Sequence, residues 1–159
     1  MHIIEDTRQQ KDKHILKHKS WEAAGETLYR CKLPVGDYAL PPTVAVDTKE
    51  NMAEIAQNIG GTKEEHERFR NELKLAQAMG TQLYVLIENT EGIHSLDEVE
   101  FWQNPRLMVS DRAITGQRLA KAMRTMQVRY GVKFMFCRPS EAASIISKLL
   151  SKGAPNSDE

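Results

Sequence analysis

Apolar residues in this chain follow two different rhythms. Short runs in which nearly every residue is apolar or β-branched are separated by longer stretches in which apolar residues recur every three or four positions. The first kind predicts strands: HIIED at 2–6, a segment entering at 27–33, YAL at 38–40 and TVAV at 43–46. Pro41 and Pro42 lie between the last two, and since neither can sit in a paired central strand they mark a connection. QLYVLIE at 82–88 is almost continuously apolar, the mark of a strand covered on both faces, and VKFMFC at 132–137 reads the same way.

The second rhythm predicts helices. Met52, Ile55, Ala56 and Ile59 share a face that stops at Gly60-Gly61. Thr62 and Glu65 form a capping-box signal ahead of a helix whose apolar face is Phe69, Leu73, Ala76 and Met79. Ile114 and Leu119 bracket a Thr115 cap as a hydrophobic staple; Leu119, Met123, Met126 and Tyr130 follow, and Gly131 closes the helix. Pro139 and Ser140 open a last helix facing inward through Ala142, Ile145, Ile146, Leu149 and Leu150. Strands interleaved with helices in this order predict an α/β fold, a three-layer α/β/α domain with a mixed central sheet of about five strands.

Two stretches are less regular. KDKHILKHK at 11–19 is strongly basic, and its His14 and His18 have the i, i+4 spacing of a zinc-binding pair. No third ligand is near and the HExxH pattern is absent, so a solvated or phosphate-contacting face is the better reading. Residues 89–114 contain a Ser95 to Glu98 capping signal and the adjacent Phe101 and Trp102, which either stack on bases or fill a gap in the core.

With 159 residues the chain is sized for one domain, read as residues 1–151 followed by a polar, disordered tail at 152–159. Lys plus Arg and Asp plus Glu both number 22, so nucleic-acid affinity would have to come from local clusters rather than from overall charge. No apolar run reaches the roughly 20 residues that cross a membrane, and the start has no leader pattern, which predicts an intracellular location. Cys31 and Cys137 are isolated, as buried thiols are. No nucleotide-cradling glycine loop is present.

The candidate chemistry lies between Leu33 and Glu54. On a strand, Asp47 and Lys49 of Asp-Thr-Lys project to one face, and a hairpin return across Pro41-Pro42 brings Asp37 of Gly36-Asp37 near Asp47. An Asp-x-Lys also occurs on ordinary solvated strand faces. Two converging carboxylates, however, form a hard-cation site suited to Mg2+ or Mn2+. A lysine beside them can position a water or stabilise phosphoryl charge, which is phosphodiester-cleaving chemistry.

Gly36-Asp37, then Asp47-Thr48-Lys49, then Glu54 resembles the XPF/Mus81-type nuclease domain, a branch of the PD-(D/E)xK nucleases. Its hallmark is Gly-Asp followed by Glu-Arg-Lys and a later acid. Glu54 lies one position beyond the usual place of that acid. The opening strand closes on Asp6-Thr7-Arg8-Gln9, similar to the family's Asp-x-Arg-Glu, with Gln9 in place of the acid; Asp6 alone also reads as a strand end or cap. LYVLIE, ending at Glu88, resembles the family's Ile-Glu strand, and Arg68 and Glu72 match a supporting Arg-Phe and Glu.

The resemblance spans residues 3–150 and implies a restriction-endonuclease-like fold and a metal-dependent DNA endonuclease, selective for branched or flapped DNA. Asp37, Asp47, Lys49 and Asp6 would be catalytic, with Asp37 and Asp47 holding Mg2+ or Mn2+ and Glu54 and Glu72 in support. Arg8, Lys11, Lys13, Lys17, Lys19 and Arg68 are the candidate DNA contacts. The alternative is a catalytically inert scaffold of the same fold. Members of the family usually add helix-hairpin-helix repeats or a helicase, whose pattern is absent here, so a partner supplying the DNA grip is one expectation. The family pairs through its C-terminal helices, and apolar faces in excess of what a five-stranded sheet needs also predict a homodimer or heterodimer through residues 115–150.

Overall fold

The computed structural model describes residues 2–10, 12–40 and 44–152. Among the described residues six strands, against an expected sheet of about five, form a single mixed sheet: β1 (His2–Asp6), β2 (Thr27–Cys31), β3 (Tyr38–Leu40), β4 (Val44–Lys49), β5 (Gln82–Glu88) and β6 (Lys133–Cys137). Their spatial order is β2-β1-β3-β4-β5-β6. The pairs β1/β2, β4/β5 and β5/β6 are parallel, whereas β3 is antiparallel to both of its neighbours. This makes β3 and β4 the predicted hairpin, with Tyr38 opposite Val46. Pro41 and Pro42, and residues 153–159 of the expected tail, lie outside the described residues.

Among the described residues five α-helices cover the two faces: α1 (Ile15–Ala23), α2 (Met52–Gly60), α3 (Lys63–Ala78), α4 (Gly116–Tyr130) and α5 (Ala142–Ser151). Because strand side chains alternate, each strand feeds two cores. Ala45, Val85 and Phe134 join residues of α2, α3 and α4 on one side. Ile3, Val46, Leu86 and Cys137 join Trp21 of α1 and the inner face of α5 on the other. The Trp21 indole N–H donates to the Ala143 carbonyl at 3.0 Å, tying α1 to α5.

Local signals fix the helix ends. The Thr62 side chain accepts from the Glu65 N–H while Glu65 accepts from the Thr62 N–H, a closed capping box. Gly131 ends α4 with φ 70°, a left-handed position that suits glycine. Met79 departs from the predicted pattern: it is the C-terminal cap of α3 and 47% exposed. The adjacent aromatics divide their roles, Trp102 being buried with its N–H 3.1 Å from a Glu91 carboxylate oxygen and Phe101 being 82% exposed. The apolar faces of α4 and α5 are taken up by the two cores, so they are not the surplus the sequence suggested.

Candidate active site

The site forms where the β3–β4 hairpin meets α3. Gly36 turns the chain into β3 with φ +75°, and a Cβ there would stand 3.1 Å from the Ala45 Cβ and 3.2 Å from the Val46 carbonyl oxygen. Only glycine fits that approach without displacement. The next residue, Asp37, is fixed by its backbone N–H to the Val46 carbonyl at 2.8 Å. Its Oδ2 accepts from the Thr48 N–H at 2.6 Å and from the Thr48 hydroxyl at 3.0 Å. The Gln9 side chain also hydrogen-bonds to it.

Asp47 and Lys49 lie on one face of β4, as strand period requires. Lys49 Nζ stands 2.7 Å from Asp47 Oδ2. The ammonium is the charged partner of that buried oxygen. Lys49 Nζ also sits 5.4 Å from the centre of the Phe69 ring. Glu72 of α3 reaches across and accepts the Gly36 N–H at 2.9 Å. Glu54, at the start of α2, is half-buried and accepts the Glu50 N–H at 2.7 Å.

The electrostatics are those of crowded acids. Burial, then the charge of Asp47, pushes the Asp37 carboxyl well above the usual carboxylate range. The same two causes push Glu72 up to about 7. Burial raises Glu54 as well. Burial disfavours a charged Lys49, but Asp47, and then Glu72 and Glu54, outweigh it and hold the ammonium above its ordinary value.

Asp6 is buried beneath this group and is engaged by backbone and ion-pair contacts. Its Oδ1 accepts the Leu33 N–H at 3.2 Å and its other oxygen takes the Arg8 guanidinium. Arg8 in turn donates to the Leu33 carbonyl at 2.9 Å, so the pair clamps the loop that leads to Gly36. The Asp6 N–H donates to the Asp37 carbonyl at 2.7 Å.

Beside the carboxylates a groove of about 220 Å3 opens between Arg8, Gln9, Lys13, Thr48, Glu50 and Glu54. Lys13 lies at its rim, 3.6 Å from Glu50. Lys19 and Arg68 are exposed elsewhere, on α1 and α3. Lys11 lies outside the described residues.

Lys17 does not belong to the exposed basic cluster. It is buried and its Nζ is 2.7 Å from Glu88 at the end of β5. Its aliphatic stem lets it pass for an apolar residue on the inner face of α1. His14 and His18 do not converge either: His14 is buried at the helix start, where burial lowers its proton affinity, and His18 Nε2 is 2.6 Å from Glu5. Thr48 and Gln9 are the site residues that sequence reasoning missed. The signal for both was the same, since they stand where the family pattern carries an arginine and an acid.

Among the described residues no three His, Cys, Asp or Glu side chains form a ready ligand set. The donors present fit a hard dication nonetheless. Magnesium is commonly held by one or two carboxylates with water completing the shell. Here the buried Asp47 lies close enough to the half-buried Asp37 for its charge to push the Asp37 carboxyl upward, and both offer carboxylate oxygens.

The family model for the ERCC4 domain matches residues 5–149. Among solved structures the chain is similar to XPF from Aeropyrum pernix, with TM-score 0.70 and 17% identity over 98% of this chain and 66% of that one. It is also similar to that protein's complex with DNA, with TM-score 0.67 and 18% identity over 99% of this chain and 68% of that one. The chain thus spans about two thirds of the length of these relatives. No curated protein matches its sequence.

Proposed function

We propose that this chain, which belongs to the ERCC4-domain family, is a divalent-cation-dependent DNA endonuclease centred on Asp37, Asp47 and Lys49. The observation that carries the reading is the meeting of two carboxylates beside a lysine: Asp47, buried and 2.7 Å from Lys49 Nζ, and the half-buried Asp37, whose carboxyl the Asp47 charge pushes upward. Asp37 and Asp47 would hold Mg2+ or Mn2+. When bound, such an ion polarises a phosphoryl oxygen and stabilises the charge that develops on it.

The chain's own residues do the rest. Thr48 and Gln9 orient Asp37. Lys49, held charged by the surrounding acids, donates to a phosphoryl oxygen or to an attacking water. Glu72 positions the Gly36 turn, and the Asp6–Arg8 pair fixes the loop before it. Lys13 and Arg8 at the groove, with Lys19 and Arg68 beyond it, supply phosphate contacts.

The substrate we infer is branched or flapped DNA, and the unit that acts on it is residues 1–151, paired with a second copy or a homologous chain through residues 115–150. The DNA complex of the XPF relative supports the nucleic-acid assignment. Among the described residues no helix is long and apolar enough to cross a membrane. A location inside the cell, where DNA is, completes the reading.

The test combines magnesium or manganese titration by calorimetry with a cleavage assay on duplex, flap, fork and four-way substrates, for wild type and Asp47→Asn. Wild type should bind the ion and cut branched substrates, and Asp47→Asn should fold, bind the ion weakly and cut slower by orders of magnitude. A wild type that binds DNA without binding a divalent ion or cutting would instead be the inert scaffold.

A further inference from the structure

A second cationic feature lies away from the carboxylates, on the outer surface between α3 and α4. A groove of about 430 Å3 there is lined by His66 and Arg70 of α3 and by Arg118, Lys121, Arg129 and Tyr130 of α4, with no carboxylate in its wall. Arg118, Lys121 and Arg129 are exposed and follow helical spacing, with Thr125 between them. The row is about 16 Å long at 1.5 Å per residue.

These cations are left unneutralised by the sequence around them. Arg124, on the same helix but off the row, is paired with Asp97 at 2.7 Å and with Glu100. Among the described residues none of Arg70, Arg118, Lys121 and Arg129 has an ion-pair partner. Arg70 Nε is buried and has no hydrogen-bond acceptor. A guanidinium cannot give up its proton, so that N–H carries a desolvation cost until an acceptor reaches it. In a chain with as many acids as bases, 22 of each, concentrating cations here requires the acids to be placed elsewhere.

We propose that this α3–α4 groove is a second nucleic-acid contact, binding the phosphate backbone of a duplex arm away from the site of cleavage. The inference rests on the nuclease reading above. A row about 16 Å long spans about five phosphates of one strand at 3.4 Å of axial rise each. An unpaired row of arginine and lysine contacts phosphate without reading sequence. A second copy of the chain docking symmetrically on this row would set like charges against each other, so the pairing proposed above would use other parts of residues 115–150 and a polyanion is the better occupant of the row.

The test uses the exposed residues, whose replacement leaves the core untouched: Arg118→Gln, Lys121→Gln and Arg129→Gln combined. Binding of a fluorescein-labelled forked duplex is followed by anisotropy between 50 and 300 mM salt in EDTA, and cleavage of the same fork is measured with Mg2+ at saturating DNA. The triple variant should bind at least tenfold more weakly at about 100 mM salt, with the log–log salt slope flattened by about 0.9 for each phosphate that is no longer neutralised. Its cleavage rate at saturation should be unchanged.

A wild type that binds and cuts the fork beside a triple variant with the same affinity and slope overturns the groove and leaves the nuclease reading standing. A wild type that neither binds nor cuts DNA fails the nuclease reading itself, and the groove with it. A triple variant that keeps its salt slope but shifts from dimer to monomer in light scattering, or loses binding of polyglutamate, also overturns the proposal, in favour of a protein interface.

Discussion

The two faces of the sheet each carry a cluster of buried and half-buried acids, and the clusters differ in how their charge is balanced. On the α1 side, Glu88 has Lys17 at 2.7 Å, while Glu5 has His18 at 2.6 Å and Arg30 at 3.0 Å. On the α2–α3 side, Asp37, Asp47, Glu54 and Glu72 share Lys49 as their close cation, and three of those acids are shifted upward by burial. The first arrangement is a lock. The second leaves several acids to one lysine, and under the proposed function a divalent cation would relieve that charge.

The sharpest way to break the comparison is to remove each cluster's lysine. Lys49→Ala should lower cleavage by orders of magnitude while leaving Mg2+ affinity intact or tighter, because a competing positive charge is gone from the carboxylates. Cleavage at the wild-type rate in a quenched time course would mean that Lys49 has no part in the reaction. Lys17→Ala should leave Glu88 charged and alone in the core, and destabilise the protein by about 3–5 kcal/mol in urea denaturation. Lys17→Met combined with Glu88→Leu should restore most of that stability, since a well-packed apolar pair replaces a buried ionic one with little net change. If Lys17→Ala proved neutral, the lock reading of the α1 side would fail.

A smaller effect sharpens the contrast through pH. Glu72 binds its proton with a pKa of about 7 in the folded protein and about 4.3 when unfolded. Between those values the folded state carries more protons than the unfolded one, so stability falls as pH rises. Asp37 acts in the same direction. The metal-free protein should therefore be more stable at pH 5 than at pH 7.5, with Glu72 contributing up to on the order of 3 kcal/mol. Glu72→Gln should flatten most of this slope, and adding Mg2+ at pH 7.5 should recover stability. A slope of the opposite sign in metal-free protein would count against crowded acids.

What the sequence disclosed about the site was its local part. The alternation of β4 placed Asp47 with Lys49, and the Pro-Pro interruption between β-prone runs placed Asp37 nearby. The capping box at Thr62 and Glu65 and the stop at Gly131 were equally readable, because each is decided within a few residues. Contacts across long separations were not. Glu72 meets Gly36 across 36 residues and Lys17 meets Glu88 across 71, and a lysine in a run of lysines carries no local mark that it faces inward. Gln9 could be noticed only as a departure from a pattern, and its bond to Asp37 is a property of the folded loop.

The strand order also bears on how the molecule is assembled. β4, β5 and β6 are neighbours in both sequence and space, so this parallel half can grow as the chain is made. β1 is the first strand in sequence, yet it is inserted between β2 and β3, and its last residue carries the backbone N–H that meets the Asp37 carbonyl. The hairpin that holds both aspartates thus reaches its final geometry only when the N-terminal strand has closed a long-range pairing, the slow kind of contact in folding. Competence for the proposed chemistry would in this way be tied to completion of the sheet, and a partly folded chain carries the carboxylates without the frame that aims them.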